Sequence, residues 1–154
     1  MKKNIRLISD FNLDTFYNFL SQKINHKKYK LLKPNFGLFY DRCFKLIESK
    51  NSNYAIFIWS KIEGVLKNFH SLIANENVNL KTLYEEVDEY INILKQLATK
   101  TDYLIINDWS LPENERGKYL NDYTDDLGLS KNINLINTKI SNQLKKEKNI
   151  IYLN

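Results

Sequence analysis

Ser, Asp and Asn side chains gather in this sequence where short apolar runs stop, and these residue types can act as nucleophile, acid, base or hydrogen-bond donor. Leu7-Ile8 runs into Ser9-Asp10 with Asn12 close behind, Leu31-Leu32 into Pro34-Asn35, and Tyr54 to Trp59 into Ser60. Tyr103 to Ile106 runs into Asn107-Asp108-Trp109, and Ile150 to Leu153 into Asn154. A serine hydroxyl is a poor nucleophile until a base within about 2.6–3.2 Å can take its proton. The only imidazoles are His26 and His70. His26 precedes a short strand and falls at the wrong end of it to meet the serines. His70 follows a strongly apolar run and could return over its end towards Ser9 or Ser60. A catalytic reading therefore rests on Ser9, Asp10, Ser60 and His70, against the ordinary one of a solvent-facing helical histidine and hydroxyls used in turns.

Asn12, Asn35, Trp59, Asn107, Asp108 and Trp109 form a second set, suited to contact with a ligand or partner rather than to bond-breaking. Asp10 and Asp108 could divide acid and base work only if their environments push their pKa values apart. The structural alternative is that Asn12 or Asp14 caps a helix and Asp10 accepts turn N–H groups. Core packing accounts for Trp59 as readily as a pocket does, whereas Trp109, beyond a polar pair, is the better candidate for contact outside the domain. The lone Cys43 can form no internal disulfide and falls far short of a zinc set, so it reads as a buried thiol; no metal and no cofactor are expected.

The elements that would position these residues alternate between strand and helix patterns, which argues for parallel βαβ units. Asp14 can cap a helix whose inner face is Phe16, Phe19, Leu20 and Ile24, and a later helix turns Phe39, Cys43, Leu46 and Ile47 inward. Tyr54 to Trp59 is apolar throughout, as a central strand covered on both faces must be. One helix is predicted from Ile62 to Ile73, and the clearest one carries Leu80, Leu83, Tyr84, Val87, Ile91, Leu94 and Ala98 behind an Asn79 cap. A long loop from Asn107 to Leu129 precedes a final helix capped by Ser130, with Ile133, Ile136, Ile140 and Leu144 buried. Lys30 marks Tyr29 to Leu32 as an edge strand. With right-handed crossovers this gives a three-layer αβα domain over residues 1–154, with a five-stranded, mainly parallel sheet in the flavodoxin-like order 2-1-3-4-5.

The 154 residues suit one domain, and their 43% hydrophobic, 27% charged composition is that of an ordinary globular chain. No apolar stretch approaches the roughly 18 residues of a membrane span, and the run behind the charged N-terminus breaks too soon for a signal peptide. A cytoplasmic location is expected. The net charge of +5 is scattered, and its densest group, Lys145-Lys146-Glu147-Lys148, suits a helix C-terminus, so a nucleic-acid surface is not expected. The sequence stops directly after its fifth strand, as expected of one domain of a longer protein.

Three segments, IRLISDFNLDTF from Ile5, PNFGLFYDRCF from Pro34 and DYLIINDWSLP from Asp102, resemble in order and spacing the N-terminal domain of FkbH-like proteins, whose fold is similar to that of SGNH hydrolases. The resemblance implies a domain that works beside a haloacid-dehalogenase-type catalytic domain and an acyl carrier protein, in glyceryl-type acyl transfer for polyketide or surface-polysaccharide synthesis. The dehalogenase-type Asp-x-Asp-x-Thr/Val signature is absent here. So is the SGNH set: Phe11 stands where the nucleophile of Gly-Asp-Ser would fall, Ser60-Lys61-Ile62 brings no oxyanion-hole Asn, and no Asp-x-x-His precedes Asn154. The expectation is a non-hydrolytic domain that positions a substrate, carrier or catalytic domain. The alternative is an atypical esterase or acyltransferase using Ser9 or Ser60.

Overall fold

The computed structural model describes residues 2–34, 38–50, 52–74, 78–111 and 121–153. Five strands, β1 (Lys3–Ile8), β2 (Tyr29–Leu32), β3 (Asn53–Ile58), β4 (Thr101–Asn107) and β5 (Ile150–Leu153), form one sheet in the order β2-β1-β3-β4-β5. Every pairing is parallel, with Ile5 opposite Leu31 and Ala55, Ile58 opposite Ile106, and Asn107 opposite Leu153. The sheet is thus parallel throughout rather than mainly so, and its strand order is the expected one.

The two faces are dressed unequally. Helices α2 (Phe39–Glu48), α5 (Leu80–Ala98) and α7 (Leu129–Leu144) share one large core with Ile8, Ile56, Ile58, Leu104 and Ile106. Burying each of those sheet side chains contributes about 1.5–3 kcal/mol. Helix α1 (Asp14–Lys23) lies on the other face, where Leu7, Leu13 and Leu31 meet its Phe16, Tyr17 and Leu20. Tyr54 and Phe57 of the central strand are accordingly only half-buried, where cover on both sides was expected.

Five local expectations change. The predicted 62–73 helix is two pieces, α3 (Ile62–Val65) and α4 (Lys67–Ile73), broken at Leu66, which is extended and buried. Glu86 of α5 accepts the Asn68 N–H (3.0 Å) and side-chain amide (2.9 Å), which supplies the new start with a cap no local sequence signal carries. Asp14 does not cap α1; the Asn12 Oδ1 accepts its N–H at 2.7 Å. On α1, Phe19 is 57% exposed instead of buried. Gly128, not Ser130, precedes α7, and the Asn132 side chain donates to its carbonyl at 2.8 Å; a short helix, α6 (Asn121–Thr124), lies within the predicted long loop. The Asn79 cap on α5 is present, with its Oδ1 accepting the Lys81 N–H at 2.9 Å.

Among the described residues, no helix is long and apolar enough to cross a membrane, and no three His, Cys, Asp or Glu side chains gather as metal ligands would. Cys43 is fully buried, and that burial pushes its thiol up to about 12, where a thiolate nucleophile does not form at neutral pH.

Candidate functional site

The C-terminal ends of β1, β3 and β4 frame a cleft of about 510 Å³, the position where open α/β sheets bind ligands. Its lining comes from the β1–α1 turn (Phe11), the β3–α3 turn (Trp59 to Glu63) and the segment after β4 (Asn107 to Leu111). One wall is aromatic. Trp59 is 39% exposed and meets Phe16 edge-on at 5.1 Å and Phe11 at 6.0 Å. The Lys61 Nζ stands 5.9 Å from the Phe11 ring, while Asp108 and Glu63 supply acidic groups to the lining.

The polar floor is tied to itself. Ser60 donates its N–H to Asn107 Oδ1 (3.2 Å), and its carbonyl accepts from Asn107 Nδ2 (3.3 Å) and Trp109 Nε1 (3.1 Å). Asn107 Nδ2 also reaches the Asp108 carbonyl at 2.6 Å. Ser60 is 3% exposed, and its hydroxyl engages Trp109 Nε1 (3.4 Å) and the buried Tyr90 side chain. Asn137 of α7 clamps Trp109 from behind by accepting its N–H (3.1 Å) and donating to its carbonyl (2.7 Å).

Ser9 is 2% exposed, and its Oγ accepts the Phe11 N–H at 3.0 Å, a local turn that uses the hydroxyl as a backbone acceptor. Its carbonyl accepts from the Arg42 guanidinium at 3.2 Å. His70 is exposed on α4, and His26, in the turn before β2, bonds the Ser21 carbonyl at 2.6 Å. Among the described residues no histidine hydrogen-bonds either serine, so Ser9, Ser60 and His70 do not assemble into a catalytic unit. Asn12 serves α1, and Asn35 lies outside the described residues. The tryptophans exchange their expected places: Trp109 is 4% exposed and packs on Tyr90 at a tilt, ring centroids 5.0 Å apart, while Trp59 is partly open to solvent. Lys61 and Glu63, which line the cleft, were not singled out from sequence. Their signal was position alone, directly after a strand-end serine.

Asp10 faces α3, where it accepts the Lys61 N–H at 3.0 Å and fills the space that a side chain at Gly64 would need; a Cβ there would lie 2.6 Å from the Asp10 Cγ. Burial holds this carboxyl above the ordinary aspartate value near 3.8, the Lys61 N–H opposes that, and Glu63 adds to it. A carboxyl raised on folding binds more protons folded than unfolded, so its contribution to stability declines as pH climbs from near 3.8 through the raised value. Asp10→Asn keeps an oxygen for the Lys61 N–H and removes that decline. Urea midpoints from about pH 3 to about pH 7 should show the variant gaining on the parent across the window and level above it. A parallel pair of curves would mean Asp10 keeps its solvation.

No family model matches this sequence, and no curated protein does. The fold is similar to the crystal structure of the N-terminal part of the protein BF1531 from Bacteroides fragilis, containing a phosphatase domain and complexed with Mg. The TM-score is 0.66 at 12% identity, over 98% of this chain and 40% of that one. At that identity the likeness shows the three-layer architecture, and the chain spans well under half of the neighbour's length.

Proposed function

We propose that this chain is a non-hydrolytic SGNH-like domain of an FkbH-like protein, whose strand-end cleft positions a substrate, an acyl carrier protein or an adjoining catalytic domain for glyceryl-type acyl transfer. The observation that carries the reading is the use of both rim serines as structural groups, one closing a turn and one held beneath Trp109, with no imidazole bonded to either. Without a base the hydroxyl keeps its proton. What the cleft does offer is recognition: an aromatic wall at Phe11 and Trp59 for an apolar or planar group, and Lys61 for a negative one. The structurally similar BF1531 fragment contains a phosphatase domain, and the Asp-x-Asp-x-Thr/Val signature is absent from this sequence, which fits a division of labour in which phosphoryl chemistry sits outside this domain.

Short-chain aryl esters test the reading directly. The purified chain should release phenolate no faster than its Ser9→Ala and Ser60→Ala variants. Turnover that either substitution abolishes overturns the proposal in favour of an esterase or acyltransferase.

A further inference from the structure

A buried donor without an acceptor costs folding free energy, so a fold that keeps one invites the question of what supplies the acceptor. Among the described residues, Arg6 of β1 and Arg42 of α2 each carry such a donor, a buried Nε with no partner. Both lie on one side of the sheet. Arg6 alternates along β1 with Ile8, which belongs to the core under α2, and the Arg42 Nη1 donates to the Ser9 carbonyl at the end of the same strand, at 3.2 Å. The register adds a third cation, because Lys30 of β2 stands opposite Asn4 and so diagonal to Arg6 on that face. Lys45 follows one turn beyond Arg42 on α2. The fold thus gathers cations that the sequence scatters.

No acid answers them. Among the described residues the three ion pairs engage other side chains, and burial lowers the pKa of both guanidinium groups with no carboxylate close enough to offset it. Arginines drawn into a protein are ordinarily paired. We propose that Arg6 and Arg42, flanked by Lys30, form a site for a phosphate dianion, free or as the monoester of a small molecule. The site lies between β1 and α2 and shares no side chain with the strand-end cleft. Charge sets the ligand class: one carboxylate would leave most of this charge unanswered, whereas a dianion with three terminal oxygens accepts from two guanidinium forks at once. Enclosure sets its size. Both arginines are half-buried, which suits a small anion better than the many exposed contacts of a nucleic-acid backbone. Little holds the two side chains back, since among the described residues Arg42 has one hydrogen bond, to the Ser9 carbonyl, and Arg6 has none. An oxyanion that turns either one outward relieves an unpaired donor.

The NMR signals of the two Nε–H groups report the site directly in the isotope-labelled chain. At about pH 8, sodium phosphate or phenyl phosphate added at constant ionic strength should move both signals together along one saturable curve. Arg6→Met and Arg42→Met should each weaken that binding at least about tenfold, and Arg42→Lys, which keeps the charge but loses the fork, should fall between. Urea midpoints check the fold of each variant, and the parent signals stand as evidence without them. Signals that stay in place with both anions, or drift linearly as they do in chloride, overturn the proposal. Undiminished binding by the methionine variants does the same. So does a glutamate-rich peptide that moves the signals at a lower concentration than either phosphate, which would make this corner a surface for an acidic protein. Lys61→Met separates the cleft from the site: the phosphate curve should be unchanged, and its loss would put the anion in the cleft and overturn the assignment to Arg6 and Arg42.

Discussion

Trp109→Ala should cost about 3–5 kcal/mol of folding stability, read as a fall in the urea midpoint at unchanged slope. The indole is 4% exposed, rests on Tyr90 at 5.0 Å and donates to the Ser60 carbonyl at 3.1 Å. Truncation removes a large apolar body from the top of the main core and leaves a cavity under the cleft floor. Trp109→Phe separates the two losses, because it keeps a ring against Tyr90 and gives up only the donor; its cost should be near 1 kcal/mol. A loss below about 1 kcal/mol for the alanine variant would show that the ring is not part of the core. The size of the effect matters for function. A domain with about 5–15 kcal/mol in hand loses much of it, so failed partner binding by Trp109→Ala reports unfolding as readily as a lost contact. Trp59→Ala, on the exposed wall, is the cleaner probe of recognition.

That reversal of the two tryptophans shows where sequence reasoning stops. The strand runs and the Asn79 cap are local features, legible from short apolar stretches or from a side chain beside its own helix start, and the strand order follows from right-handed crossovers with Lys30 marking the edge. The side of a rim residue that faces the core is set from elsewhere. Trp109 turns inward because Asn137, 28 residues on, holds both its N–H and its carbonyl. The α3–α4 break has the same origin: apolar spacing from Ile62 to Ile73 fits one helix, and only the Glu86 carboxylate on α5 shows why a new one begins at Lys67. The half-covered face was hidden for another reason. An all-apolar strand signals burial on both sides, yet Phe57 and Trp59 meet α1 and each other and still leave a groove, since composition does not count the helices available to cover a sheet. As for the candidate site, sequence marks the residues that end the strands, but whether a serine there closes a turn or reacts depends on a base whose position is tertiary.

Asn107 carries that distinction furthest. Its place at the end of β4 suits a ligand contact, and it lines the cleft, but three of its hydrogen bonds turn inward to Ser60 and Asp108. Asn107→Leu preserves bulk and removes every one of them, so the Ser60 N–H, in a residue 3% exposed, loses its partner. The expected cost is about 2–3 kcal/mol, the penalty for leaving buried backbone groups unpaired. Asn107 and Trp109 both donate to the Ser60 carbonyl, which couples them. In a double-mutant cycle Asn107→Leu with Trp109→Phe should be more destabilised than the sum of the single changes by at least about 0.5 kcal/mol, because each single variant leaves the Ser60 carbonyl one donor and only the double variant removes both. Strict additivity would mean that the two side chains act separately and that Ser60 is held by something else.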